Sequence, residues 1–316
     1  MLLLFYSHQS LHMDYQNAIN KIFHELKEID DPGKVATYIP ELAGIQPDKF
    51  GVHMTTLDDH HYSIGDSDEK FSIQSIAKVL SLTLAYKMEG DYLWKRMGVE
   101  PSGAPFNSLT LLEYNNGIPR NPMINSGAIV VCDILISHCI HPKAELIEFI
   151  RDLSGNQDIH YSKRVADSEK KTGHRNTSLI YLMKSFGNIQ NDIEEVLDLY
   201  FNLCSIEMTC RELASTFLYL AGYGNCPYSS ENVISVSKSK RINAIMQLCG
   251  MYDEAGEFSF RTGLPGKSGV GGGIVAVRPN QYSIAVWSPK LNPKGNSFKG
   301  MEFLERFTTV TKSSIF

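Results

Sequence analysis

The sequence predicts an α+β protein: a mostly antiparallel five-stranded sheet flanked by helices, with an inserted all-helical lobe. Three observations lead there. Apolar and polar residues alternate in Val52-His53-Met54-Thr55 and Tyr62-Ser63-Ile64, on either side of Asp58-Asp59, as in a β-hairpin. Strand-like runs return near the end, in Glu257-Phe258-Ser259-Phe260-Arg261, Gly273-Ile274-Val275-Ala276-Val277 and Tyr282-Ser283-Ile284-Ala285-Val286-Trp287. Between them, from about residue 75 to about 250, the periodicity is helical. A sheet completed by both ends of the chain satisfies all three, with the insert as a second lobe and a ligand cleft between the lobes. The chain is then one domain of two lobes, about 13–74 and 251–316 for the sheet lobe and about 75–250 for the helical lobe, preceded by an extension at 1–12.

In chain order, the apolar start Met1-Leu2-Leu3-Leu4-Phe5-Tyr6 is too short for a signal sequence and has neither a basic flank nor a cleavage site. It reads as an extension, with Met13 a candidate functional start, and the expected location is cytoplasmic. An amphipathic helix follows over residues 17–26. Pro40 forces the residue before it into an extended conformation, so Tyr38 sits on a short loop or strand. After the hairpin, Ile73, Ile76, Ala77, Leu80 and Leu84 recur at helical spacing, Val79 and Leu82 make that helix apolar nearly all round, and Gly90 stops it. Further helical patterns cover 109–116, 126–137, 143–154, 176–186 and 191–200. Thr209-Cys210-Arg211-Glu212 has capping-box spacing ahead of Leu213, Phe217 and Leu220, with stops at Gly222 and Gly224. A last helix runs through Met301 to Arg306.

The composition narrows the partners. With 316 residues, 43% of them hydrophobic, the chain can bury a full core. Its net charge of −5 with both signs interspersed argues against nucleic acid and against an anionic membrane, leaving small molecules. No stretch is long enough to span a bilayer. Six cysteines without a C-x-x-C pair, mostly in apolar surroundings, suit reduced core thiols and no disulfides. His138, Cys139 and His141 lack a zinc-binding spacing, so neither a metal nor a cofactor is expected.

Two stretches carry chemistry. In Gln74-Ser75-Ile76-Ala77-Lys78, residues three apart on a helix have Cβ atoms about 5–6 Å apart, so Lys78 can reach the Ser75 hydroxyl. A serine needs such a base, and a lysine serves only when neutral, which requires burial or a neighbouring cation. In a buried helix Lys78 is expected at the wet end. Gly266-Lys267-Ser268-Gly269-Val270-Gly271-Gly272-Gly273 lets the backbone approach a ligand and expose N–H groups. Lys267 is expected to depress the pKa of Lys78 by like-charge repulsion. A similar triplet, Lys171-Thr172-Gly173, lies in a polar stretch with no strand after it and is discounted in that role.

Together with Tyr38-Ile39-Pro40-Glu41-Leu42, Asn121-Pro122-Met123-Ile124-Asn125-Ser126-Gly127-Ala128 and Cys204-Ser205-Ile206-Glu207, these stretches resemble the serine-dependent glutaminase family, over about residues 38–287. That family hydrolyses L-glutamine to L-glutamate and ammonia and resembles the serine β-lactamases and transpeptidases in fold. The resemblance implies Ser75 as nucleophile and Lys78 as its partner, with Tyr38, Asn125, Glu169, Asn176, Tyr200, Tyr252 and the backbone of Val270 at the substrate. It implies an oxyanion hole of the Ser75 and Val270 N–H groups, support from Lys267, Ser268 and Gly269, and Tyr252 relaying a proton to departing ammonia. Glu169, the only anion in this set, is expected to hold the α-ammonium of glutamine. A homodimer or homotetramer is implied as well. Two departures stand out: the residues flanking Ser75 vary the usual small ones, and the first twelve residues have no counterpart.

Overall fold

The computed structural model describes residues 14–316 apart from Ala104, Phe106 and 229–231. The extension over 1–12 and the Met13 start fall outside the described residues.

The strands in chain order are β1 Gly51–Thr56, β2 His61–Gly65, β3 Phe71–Ser72, β4 His160–Tyr161, β5 Ile206–Met208, β6 Gly266–Ser268, β7 Gly273–Arg278 and β8 Tyr282–Trp287. Five of them form one sheet in the order β2-β1-β8-β7-β6, antiparallel at every step. Val52 lies opposite Ile64 on one side and Val286 on the other, so the early hairpin is zipped onto the last strand of the chain. One face packs on the helices Tyr15–Lys27 and Phe298–Thr311 through Ile19, Phe23, Phe303 and Phe307 against Val52, Ile274, Ile284 and Val286. The other face meets the helical region, starting with Cys210–Ala221, through Val275, Val277, Ala285 and Trp287. Burial on both faces is why β7 and β8 read as nearly continuous apolar runs.

One expected strand is a helix. Residues 257–261 belong to the helix Ala255–Arg261, which buries Ala255 and Phe258, three residues apart, and leaves Phe260 91% exposed. A strand would have put Phe258 and Phe260 on one face, whereas here Phe258 is buried and Phe260 faces outward. The fifth strand is instead β6, three residues inside the glycine-rich stretch. The sequence reading also lacked a small second sheet, β3-β5-β4, and the helices Lys163–Thr172 and Val236–Cys249. The capping box at Thr209 and Glu212 forms with both hydrogen bonds. Among the described residues no single helix is long and apolar enough to cross a membrane.

Candidate active site

The second sheet ends where the chemistry begins. After β3 the chain makes a 3₁₀ turn, Gln74–Ile76, that runs into the helix Ala77–Glu89. The helix continues directly from that turn, so Ser75 and Lys78, three residues apart, fall on the same side of the chain. Gln74 adopts φ +52°, a costly conformation for a residue with a long side chain. Hydrogen bonds hold it. Gln74 Nε2 donates to Ser72 Oγ at 3.0 Å and Ser72 Oγ donates to the Cys204 carbonyl at 3.1 Å, while Gln74 also bonds the Glu169 carboxylate.

Lys78 is fully buried, not at a wet helix end. Its Nζ donates to Asn125 Oδ1 at 2.7 Å and to the Met123 carbonyl at 3.3 Å. Burial pushes its pKa down to about 8, against the opposing pull of Cys204 and Glu169. The expected role of Lys267 reverses. Lys267 is itself fully buried, and burial first, then the charge of Lys78, pushes its pKa well below the ordinary lysine range. Burial leads the causes of the Lys78 shift and the charge of Lys267 is not among them, so desolvation and not repulsion lowers the Lys78 pKa. Its Nζ donates to the Ser268 carbonyl at 2.6 Å and lies 4.2 Å from the centre of the Tyr252 ring.

The glycine-rich loop owes its composition to where it sits. A Cβ on Gly269 would stand 2.3 Å from the Ile73 carbonyl oxygen, and one on Gly271 2.1 Å from that of Ser72. Bare glycines therefore let the loop lie directly on the serine turn and bring Val270 to the wall of the same cavity as Ser75. Among the described residues no backbone carbonyl takes the N–H of Ser75 or of Val270. Tyr252 reaches Ser75 from a third side. Its phenol shares a hydrogen bond with the Ser75 hydroxyl, and burial raises its pKa above the usual value.

Across the cavity, Glu169 on the helix Lys163–Thr172 is 8% exposed. Burial pushes its carboxyl up to about 7, and the Gln74 hydrogen bond and the Lys78 charge only partly offset this. Asn125 opens the helix Asn125–His138, and its Nδ2 donates to Asn176 Oδ1 at 2.9 Å. With Oδ1 and one N–H of the Asn125 amide engaged, its second N–H and the amide nitrogen of Asn176 are donors at the wall. The Tyr200 ring centre lies 6.0 Å from Lys78 Nζ, and its phenol bonds the Cys204 thiol. Tyr38, 57% exposed, stands at the mouth.

The cavity has a volume of about 410 Å³. Its wall includes Tyr38, Ser75, Asn125, Glu169, Asn176, Tyr200, Tyr252 and Val270, which the sequence reading had grouped, while Lys78, Lys267, Ser268 and Gly269 are not in the wall. It also includes Gln74, Asn107, Cys204 and the run Thr172-Gly173-His174-Arg175, which that reading had not placed there. The Lys171-Thr172-Gly173 triplet is indeed followed by a helix, His174–Ser185, and not by a strand, yet it lies at the site. Gly173 was its signal: a Cβ there would meet the Phe201 ring at 2.5 Å. Among the described lining residues Glu169 is the one acid.

The chain is similar to known proteins along nearly its whole length. Residues 33–316 match the family model described as Glutaminase. A glutaminase of Saccharophagus degradans is 59% identical over 304 residues, covering 96% of this chain and 99% of the relative. One of Christiangramia forsetii is 54% identical over 304 residues, covering 96% and 100%. The solved structure of the probable glutaminase ybaS superposes with a TM-score of 0.91 at 32% identity, covering 96% of this chain and 98% of that one. The probable glutaminase of Bacillus subtilis gives 0.84 at 31% identity, covering 96% of each chain.

Proposed function

Since this chain belongs to the glutaminase family, an amidohydrolase family with a β-lactamase-like fold, we propose that it hydrolyses the side-chain amide of L-glutamine through an acyl-enzyme on Ser75. The observation that carries the mechanism is the hydrogen bonding of Lys78. A neutral amine has two N–H groups, and Asn125 Oδ1 and the Met123 carbonyl take both. The nitrogen lone pair is then left for the hydroxyl of Ser75, three residues earlier on the same side of the chain.

Glutamine enters with its α-ammonium on Glu169 and its α-carboxylate on the amide and phenol donors of Asn176, Tyr200 and Tyr38. A carboxylate in this buried wall needs such a partner. Ser75 Oγ attacks the amide carbon as its proton passes to Lys78, and the N–H groups of Ser75 and Val270 receive the oxyanion. Each donor of this kind contributes about 3–4 kcal/mol. The C–N bond then breaks, Tyr252 relays the proton to the nitrogen, and ammonia leaves. Water attacks the ester and releases glutamate. A related solved structure, Mglu in its glutamate form, is 30% identical with a TM-score of 0.88.

Hydroxylamine tests the intermediate. Added during turnover, it should compete with water for the acyl-enzyme and yield γ-glutamyl hydroxamate in proportion to its concentration. Glutamate formed with no hydroxamate at any hydroxylamine concentration would mean that water attacks the amide directly. L-asparagine should be a poor substrate by on the order of 10²-fold, since the same anchors leave its shorter amide out of reach of Ser75.

A further inference from the structure

Tyr252 stands between two cavities. It lines the substrate cavity and also an outer one of about 570 Å³, together with Pro101, Leu248, Asp253 and Gly256. Its backbone sits at φ +53°, a conformation that a tyrosine keeps only where the surroundings enforce it. A turn that borders two cavities on a strained backbone keeps its position only through contacts that enforce it.

The hold is at the other end of the turn. Tyr252–Glu254 is a single 3₁₀ turn whose last residue is 6% exposed. The Glu254 carboxylate accepts Asn292 Nδ2 at 2.9 and 2.8 Å on its two oxygens, and Asn296 Nδ2 at 2.5 Å. Asn296, fully buried, also donates to the Met251 carbonyl at 3.3 Å, so it grips the chain on both sides of Tyr252. The clamp has a fixed base: Asn292 Oδ1 accepts the N–H of Lys294 at 3.0 Å and of Asn296 at 3.1 Å. Neither Glu254 nor its two amide partners line the substrate cavity, so substrate contact does not account for a buried carboxylate here.

We propose that Glu254, gripped by Asn292 and Asn296, is a positioning residue that keeps the Tyr252 phenol on the Ser75 hydroxyl, a role that rests on Tyr252 taking part in proton transfer. Gln at 254 keeps the shape but turns an amide donor toward the donors of Asn292 and Asn296, which opens the clamp. Glu254→Gln should lower kcat about tenfold with KM within about twofold, as displacement of one reacting group does. In a Tyr252→Phe background the same change should cost nothing further, because groups that act as a unit are not additive. Asn292→Ala, at the partly exposed edge of the clamp, should act in the same direction more mildly, and it carries the test if Glu254→Gln does not fold. A kcat within about twofold of wild type for both, or a loss that recurs in full in the Tyr252→Phe background, overturns the role of the clamp. A Tyr252→Phe enzyme with wild-type kcat overturns the role of Tyr252 itself, whereas a slow Tyr252→Phe beside a wild-type Glu254→Gln overturns the clamp alone.

Discussion

Burial acts on the two ionisable ends of the site in opposite senses. Lys78 is uncharged above about 8 and protonated below it, so the proposed base is lost as pH falls through that value. Glu169 is charged above about 7 and neutral below it, so the proposed anchor for the substrate ammonium is lost as pH falls further. The value of kcat/KM, which reports the free enzyme, should therefore rise with pH up to about 8, more steeply below 7 than above it. Lys78→Arg should be inactive across this range, since a guanidinium keeps its proton. Lys267→Met should leave the midpoint of the rise in place, because burial and not Lys267 sets it. A pH profile for the three enzymes checks this, and an active Lys78→Arg or a displaced Lys267→Met midpoint would move the base elsewhere. Glu169→Gln should raise KM on the order of 10²-fold with a smaller effect on kcat, and should remove the steeper slope at low pH. Steady-state kinetics on either side of neutrality separate these effects; a fall in kcat at constant KM would place Glu169 in the chemistry.

At the scale of elements, the glycine loop and the serine turn work as one piece. Gly269→Ala puts a methyl group against the Ile73 carbonyl, so either the loop lifts or the turn sinks, and the Val270 N–H leaves its place. Loss of one oxyanion donor costs about 10²–10³ in kcat. The variant should show a loss of that size with a lowered melting temperature and little change in KM, and wild-type kcat would remove Val270 from the oxyanion site. These elements were legible in the sequence because their constraints are local. A serine and a lysine three apart meet in any tight helical turn, and a glycine cluster marks close backbone approach. Residues 257–261 were misread for an equally physical reason. Alternation in so short a run does not reveal whether Phe260 is buried, and the rings that decide it come from other parts of the chain. Nor does the sequence show that Lys78 lies within the core, since the carbonyl and amide that pair with its two N–H groups come from residues 123 and 125.

At the scale of the whole molecule, the antiparallel sheet joins the two ends of the chain and the proposed site residues arrive from five places along it. Ser75 and Lys78 come from a 3₁₀ turn and the buried helix it enters, Asn125 and Glu169 from two other helices, Tyr252 from a second 3₁₀ turn, and Val270 from the loop entering β7. In the main sheet β7 and β8 were legible because burial on both faces leaves long apolar runs, and β1 and β2 from their alternation, whereas β6 was not read as a strand. The small sheet was not legible, since each of its strands is two or three residues long, and yet it sets Ser72 opposite Glu207, from where the Ser72 hydroxyl reaches the Cys204 carbonyl at the end of the preceding helix. The measurement that bears most directly on the whole assembly is ammonia release from L-glutamine by Ser75→Ala, taken alongside calorimetric binding of glutamine to the same protein. Glutamine should bind with nearly wild-type affinity, since Glu169, Asn176 and Tyr200 remain in place, and ammonia release should vanish. Release within about tenfold of wild type would contradict the assignment, because loss of a true nucleophile costs far more than that.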